Sequence, residues 1–171
     1  MGLATRASVP CTPQEQAAVQ EYSAEFLEAA RYGELEDLKT IFSHPRLKEL
    51  IDFQNLVDES AGSTALMFAS ANGHMDCIQF LVESVLVDVN RANSSGNTAL
   101  HWAALNGHAE AVSFLIKKGG NVLAENKFQR TPFDEAIERD QKDCCEVLVR
   151  EEVRLHELSG EKMEDLETIH E

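Results

Sequence analysis

The stretch "LHWAALNGHAEAVSFLI", residues 100–116, follows the same pattern as "LMFASANGHMDCIQFLV", residues 66–82. Both segments share Leu, Ala, Asn-Gly-His and Phe-Leu at the same positions, 34 residues apart and without a gap. This agreement indicates an internal repeat rather than an irregular helical bundle with a coincidental match. Repeats of such a period are typical of solenoid proteins, in which neighbouring copies stack.

Three threonines mark where the copies begin. Thr64, Thr98 and Thr131 each precede an apolar segment, with spacings of 34 and 33 residues. A Thr at a helix N-cap accepts from the first free backbone N–H groups. Gly73 and Gly107 are then expected to end the first helix of their units in a left-handed conformation. Apolar residues at spacings of three and four predict a second helix in each unit.

A less regular copy, "EFLEAARYGELEDLKTIF", lies upstream. Its glycine, Gly33, precedes Gly73 by 40 residues, so about six extra residues separate the first two units. One unit is too small to bury its apolar face, whereas stacked units cover one another. We therefore predict an all-α domain over residues 24–155, after a flexible segment 1–23 and before an acidic tail 156–171.

At residues 96–132, "GNTALHWAALNGHAEAVSFLIKKGGNVLAENKFQRTP", the chain resembles the ankyrin-repeat family. The resemblance implies an ankyrin-repeat solenoid of four helix-turn-helix units with β-turn fingers and a concave face. Two full repeats would lie between capping units 24–50 and 129–155, because the ends of a stack are atypical. The chain departs from the motif at four positions. Met67 and Asp134 stand where the motif has the His kept at His101, and Gln129 and Asp140 replace motif glycines.

The composition limits the class of partner. The chain has 171 residues and a net charge of −15, and residues 61–120 are nearly neutral, with four acids and three bases. Bulk nucleic-acid binding needs phosphate-neutralising Lys and Arg, so it is disfavoured, as is binding to an anionic membrane. A basic partner is the natural complement of the acidic ends. The alternative is that the acids only keep the chain soluble.

No catalytic or metal-binding constellation stands out. The histidines His74, His101 and His108 fall at repeat positions, which indicates structural roles. The cysteines form no CxxC pair, and no Ser–His–Asp set or phosphate loop is evident. We expect no enzyme, no cofactor and no metal. The absence of a long apolar segment favours a cytoplasmic and/or nuclear protein.

A narrower resemblance is to the fungal ankyrin-repeat chaperones of small-subunit ribosomal protein S-three. It rests on four units, the insertion after the first, "GNTALHWA", the "NKF" turn and the acidic tail, although this tail is shorter than expected. It implies a monomeric escort that binds a basic helical segment of a ribosomal protein on its concave face. The alternative is a generic adaptor in signalling or transcription with a neutral partner.

Candidate partner-binding residues follow from the ankyrin resemblance. Trp102 and Phe68 would either floor the groove or fill the core, and Phe128 would either tuck onto the stack or contact a partner. The acids near the fingers are either ordinary solvated charges or counterparts for Lys and Arg. The predicted residues of the concave face and fingers are Asp58, Glu59, Phe68, Asn72, Asn97, Trp102, Leu105, Asn106, Glu125, Phe128 and Glu138.

Overall fold

The computed structural model describes residues 12–159. This part of the chain contains α-helices, one π-helical turn and an isolated bridge between Val57 and Thr64, with no named strand. The all-α prediction is confirmed. The helices are α1 (Pro13–Tyr32), α2 (Leu35–Ser43), α3 (Pro45–Leu50), α4 (Ala65–Ala71), α5 (Met75–Phe80), α6 (Ala99–Leu105), α7 (Ala109–Lys117), α8 (Pro132–Glu138) and α9 (Lys142–Ser159).

The helices form two layers. The first helices of the units, α1, α4, α6 and α8, pack in that order, and α2, α5, α7 and α9 pack behind them in the same order. Alanine makes the close inner contacts possible: Ala69, Ala103 and Ala104 are completely buried. The predicted four-unit stack is thus present, with each unit covering the apolar side of the next.

The threonine caps form at Thr64 and Thr131 as the sequence predicts, whereas the Thr98 hydroxyl lies 3.0 Å from Nδ1 of His101 instead. Thr64 Oγ1 accepts from the N–H of Met67 at 3.2 Å, and Thr131 Oγ1 accepts from the N–H of Asp134 at 3.3 Å. The third residue of each helix accepts in return from the threonine N–H. The acceptors are Met67 Sδ at 3.5 Å, His101 Nδ1 at 3.2 Å and Asp134 Oδ2 at 2.8 Å. The two departures from the motif His therefore keep its acceptor role.

His101 also joins two units. Its Nε2 lies 3.1 Å from the carbonyl oxygen of Arg130, which can only accept, so Nε2 carries the proton and Nδ1 is the acceptor. Burial lowers the pKa of His101, against smaller opposing effects from the Arg130 carbonyl and Glu135. The neutral ring is therefore the form that the fold requires.

A second contact between units recurs at the start of the outer helices. His74 Nε2 donates to the carbonyl of Arg31 at 3.0 Å, and His108 Nε2 donates to the carbonyl of Ala71 at 3.1 Å. Gln141 repeats this contact with the carbonyl of Leu105 in the last unit, at 3.4 Å. The periodic histidines are thus structural, as their placement indicates.

Left-handed turns connect the two helices of a unit. Gly73 and Gly107 have φ values of 70° and 80°, as predicted from their positions. Gln129 and Asp140, the two replacements of motif glycines, also have positive φ, at 58° and 54°. The backbone conformation is therefore retained where the glycine is lost.

The 34-residue spacing of the second unit has a local cause. Residues Leu81–Val85 form a π-helical turn, and the N–H of Val87 bonds to the carbonyl of Leu81. In the third unit the corresponding bond joins Gly120 to Leu115, one residue closer along the chain. The π-helical turn absorbs the extra residue, and Leu86 leaves it with a φ of 63°.

The first unit differs from its predicted boundaries. Helix α1 begins at Pro13, so the segment 1–23 is helical over its second half, and the predicted boundary at residue 24 is wrong. Thr12 and Glu15 form a capping box, and Arg46 of α3 binds Glu15 with 2.6 Å between Nη2 and Oε1. These contacts hold the extension in place. The predicted six-residue insertion is α3 itself.

The C-terminal boundary also moves. Helix α9 continues to Ser159, so the predicted start of the tail at residue 156 falls within a helix. The remainder of both predicted terminal segments, residues 1–11 and 160–171, lies outside the described residues.

The turn at Gly73 offers a test of the stacking contact. A Cβ there would lie 2.6 Å from Nδ1 of His108, whereas a Cβ on Gly119, which has a φ of 90°, would meet no atom within 4 Å. Both Gly→Ala variants carry the strain of a positive φ, about 1–3 kcal/mol. We expect Gly73→Ala to lose more stability in urea unfolding than Gly119→Ala, because only it also displaces His108. Equal losses would contradict this role of the ring.

The lowered pKa of His101 predicts acid sensitivity. The unfolded chain binds a proton at about the ordinary value of 6.5 and the folded chain only at lower pH, so this contribution to stability is complete above 6.5 and is lost as pH falls below it. His101→Met imitates Met67 of the preceding unit. We expect its urea midpoint to fall less between pH 7.5 and pH 5.5 than that of the wild type. Parallel losses would assign the acid sensitivity to other groups.

Candidate functional site

An open groove lies between α1 and the first two fingers. Its volume is about 1000 Å³. One wall consists of Gln20, Ser23, Ala24 and Leu27, which share a face of α1 because they are three or four residues apart. The other lining residues are Asp52, Asn55, Leu56, Val57, Asp58, Glu59, Gly62, Arg91 and Ser94.

The fingers form one continuous ladder. The first finger, residues 58–63, accepts a backbone bond from the N–H of Ser94 at the carbonyl of Ala61, at 2.8 Å. The second finger, residues 93–97, accepts one from the N–H of Lys127 at the carbonyl of Ser95, at 3.0 Å. Lys127 belongs to the third finger, residues 126–130. This ladder fixes the finger side of the groove relative to the helices.

Asp58 has a structural role within the first finger. Its carboxylate accepts from Ser60 Oγ and from the N–H groups of Ala61 and Ser63. Asn93 and Asn126 make the same kind of turn at the start of the other fingers. Burial alone would raise the pKa of Asp58, but the hydrogen bonds from Ser60 and the backbone outweigh it and leave this pKa lowered. The carboxylate predicted to meet a partner is therefore already engaged.

The other predicted acids divide in two. Glu138 is bound by Arg130, whose guanidinium also lies 3.7 Å from Glu135. Glu59 and Glu125 are exposed, and neither makes a hydrogen bond or ion pair within residues 12–159. Only these last two carry a carboxylate that is free for a partner.

The inner helices present an apolar surface. Phe68 on α4 and Trp102 and Leu105 on α6 are half-buried and lie on neighbouring helices. Phe68 and Trp102 also pack against the core, so the structure combines the two roles that the sequence left open. Trp102 Nε1 is buried and has no hydrogen-bond partner among the described residues.

The predicted asparagines take part in the framework. The Nδ2 groups of Asn72 and Asn106 donate to the carbonyls of Phe68 and Trp102, both at 2.9 Å, which caps α4 and α6 and leaves the amide oxygens at the surface. Asn97 Oδ1 accepts from Nδ2 of Asn126 at 2.8 Å, between the second and third fingers. Asn97 is thus part of the finger ladder.

Two further aromatic features lie on this surface. Phe128 at the tip of the third finger is 72% exposed, so it does not tuck back onto the stack. The Phe68 ring is covered from within the chain, because the guanidinium carbon of Arg31 lies 4.2 Å from its centroid. The sequence reasoning did not anticipate the contact between Arg31 and Phe68.

The sequence reasoning also missed an acidic face of α1. Glu21, Glu25 and Glu28 are exposed and share a face at spacings of four and three residues. This face lies about 100° around the helix axis from the residues that line the groove. The start of α1 was readable as "TPQE", residues 12–15, a threonine cap followed by proline at N1 and glutamate at N3.

Residues 12–159 contain no group of three or more His, Cys, Asp or Glu side chains placed to hold a metal ion. Within the same residues no helix has both the length and the apolar character needed to cross a membrane. Cys77 is buried as a small core residue, as predicted, and burial raises the pKa of Cys144 to about 11. Burial thus raises the pKa of both thiols and favours their protonated form at neutral pH.

The stacked units, fingers and caps define an ankyrin-repeat protein. The family described as "Ankyrin repeats (3 copies)" matches residues 26–126 and 86–157, and the chain belongs to this family of protein-binding modules.

Two matches come from yeast. One is the "Ankyrin repeat-containing protein YAR1" of Saccharomyces cerevisiae, 38% identical over 65 residues, which cover 38% of this chain and 30% of that protein. The other is a chain of the crystal structure of the yeast ribosomal protein Rps3 in complex with its chaperone Yar1. It matches with a TM-score of 0.71 and 30% identity, over 77% of this chain and 93% of the other.

Asp58 and its neighbour Glu59 form a matched pair for mutation. Asp58→Ala removes the acceptor for two backbone N–H groups, and we expect a loss of about 1–3 kcal/mol in unfolding free energy. Glu59→Ala removes an exposed carboxylate without a partner, and we expect the unfolding midpoint to stay within error. Urea unfolding followed by circular dichroism measures both. A comparable loss in the two variants would contradict the distinction between an engaged and a free acid.

Proposed function

We propose that the chain is a dedicated chaperone, or escort, of a basic ribosomal protein in small-subunit biogenesis. The observation that carries this proposal is the match to the Rps3–Yar1 complex, at 30% identity over 93% of the matched chain. A fold match alone would leave the partner open. The acidic groove beside α1 gives it a physical basis.

The groove and the inner helices together suit a basic amphipathic helix. Phe68, Trp102 and Leu105 offer an apolar surface for one face of such a helix. Exposed carboxylates surround this surface. Glu28 on α1 lies five residues before its turn glycine, which is the repeat position that Phe68 has on α4 and Trp102 has on α6. Glu59 lies in the groove. A basic client would be kept soluble because its apolar face is covered and its charge is neutralised.

Charge also governs encounter. A net charge of −15 attracts a basic segment over a distance set by ionic strength, which raises the association rate at low salt. This long-range electrostatic attraction acts independently of the apolar contacts. We therefore infer an affinity that falls steeply with salt.

A second candidate function is an adaptor for a neutral partner. The observation in its favour is the apolar character of the central units together with Phe128 at a finger tip, 72% exposed. Such a complex would depend little on ionic strength. Salt dependence therefore distinguishes the escort from the adaptor.

The remaining parts of the proposal concern chemistry and place. The chain would act by binding and not by catalysis, without cofactor, and as a monomer when alone. It would work in the cytoplasm, the nucleus or both, where a newly made ribosomal protein travels before assembly.

Reversal of the free carboxylates around the apolar surface of Phe68, Trp102 and Leu105 tests the escort. The variant Glu28→Lys, Glu59→Lys, Glu125→Lys replaces three free carboxylates by ammonium groups, which turns attraction into repulsion worth several kcal/mol, as an order of magnitude. We expect wild-type protein to suppress the light scattering of yeast Rps3 at low salt and the variant to lose this protection.

The matched control is Asp76→Lys, Glu110→Lys, Glu146→Lys. These exposed acids lie on the outer helices α5, α7 and α9 and make the same change in net charge. We expect the control to retain protection, with both variants showing wild-type circular dichroism. If wild-type protein fails to protect Rps3 at low salt, the escort proposal is wrong. Equal loss in both variants would show that only total charge matters.

A further inference from the structure

The side chain of Arg31 lies over the ring of Phe68, on the surface proposed to bind the partner. Arg31 lies two residues before the turn glycine of the first unit. The residues at the same position of the next two units are Ala71 on α4 and Leu105 on α6. The guanidinium carbon of Arg31 lies 4.2 Å from the centroid of Phe68. Arg31 is exposed and forms no ion pair with any described carboxylate. The ring is therefore its principal side-chain contact.

Other cations of the chain are placed differently. Lys118 lies over Phe114 at 5.4 Å but also pairs with Glu83, and Lys48 lies over Phe42. These rings belong to outer helices α7 and α2. No cation within residues 12–159 lies over Trp102, so the two aromatic side chains of the inner surface differ. A cation therefore covers the ring of Phe68, whereas no described cation covers the ring of Trp102.

We infer that Arg31 is an internal placeholder, which holds the Phe68 ring until an Arg or Lys side chain of the basic partner displaces it. This inference rests on the proposed function. An aromatic face attracts cations through its quadrupole, and an exposed contact of this kind is weak enough to exchange. Arg31 would protect the apolar ring in the free protein and would exclude segments that bring no cation of their own.

The backbone at Arg31 allows the side chain to leave without disturbing the stack. The carbonyl of Arg31 accepts from His74 Nε2 at 3.0 Å, and the residue lies on the last turn of α1. Only the exposed side chain has to move. A change of the guanidinium to an uncharged amide therefore leaves the contact between the first two units in place.

The test compares two arginines. Arg31→Gln removes the cation from the ring. Arg91→Gln is the matched control, because Arg91 lines the groove and bonds to Asn55 Oδ1 at 2.6 Å without covering a ring. The probes are a fluorescently labelled amphipathic peptide of Arg and Leu residues and purified yeast Rps3. Anisotropy and pull-down give the affinities at low and high salt, and Trp102, the only tryptophan, reports binding at the inner surface.

We expect Arg31→Gln to bind the peptide about two- to fivefold more tightly than wild type. Part of this gain should persist at high salt, because a freed ring is less sensitive to screening than a removed charge. Arg91→Gln should show a gain at low salt only. In the background of Arg31→Gln, the further change Phe68→Leu should abolish the part that persists.

Each other outcome counts against the inference. Unchanged or weaker binding by Arg31→Gln, with a wild-type unfolding midpoint, would show that Arg31 is a structural or a direct partner contact. Equal gains in the two arginine variants at every salt concentration would reduce the effect to charge. If the wild type binds neither probe, the proposed function fails and the placeholder fails with it. If the wild type binds but the variants behave as just described, only the placeholder fails.

Discussion

The structure depends on the contact that each outer helix makes with the preceding unit. A side chain at the start of the outer helix, His74, His108 or Gln141, donates to a carbonyl near the end of the previous inner helix. The ring of His108 fits only because Gly73 has no Cβ. The turn glycine and the following histidine are therefore one structural device, and their repetition keeps successive units in the same relative position.

This fixed position aligns the fingers and so shapes the surface proposed to bind the partner. Once the helices are in register, the N–H of Ser94 meets the carbonyl of Ala61, and that of Lys127 meets the carbonyl of Ser95. The groove needs one further element, the long α1, whose first turns extend beyond the length of the other inner helices. The ion pair between Arg46 and Glu15 ties these turns to the insertion α3.

The sequence predicts what repeats and misses what occurs once. The caps at Thr64 and Thr131 and the turns at Gly73 and Gly107 follow from local chemistry at a fixed period, so they could be predicted. The extension of α1 could not be placed by the repeat, although its cap was readable. The structural role of Asp58 could not be predicted, because a carboxylate at a surface turn looks available and only the fold shows that the finger already uses it. The contact of Arg31 with Phe68 joins two units and has no sequence signal.

The charges of this surface are arranged with more constraint than the net charge suggests. Glu138 pairs with Arg130, and Asp58 accepts hydrogen bonds within its own finger. Both carboxylates therefore already have partners in the free protein. Glu28, Glu59 and Glu125 remain solvated. An exposed carboxylate interacts weakly with any one cation but strongly with a dense array of them, because the attractions add while each remains screened. A surface of free acids around an apolar centre therefore selects for partners with many cations and an apolar face together, and against partners that offer only one of the two.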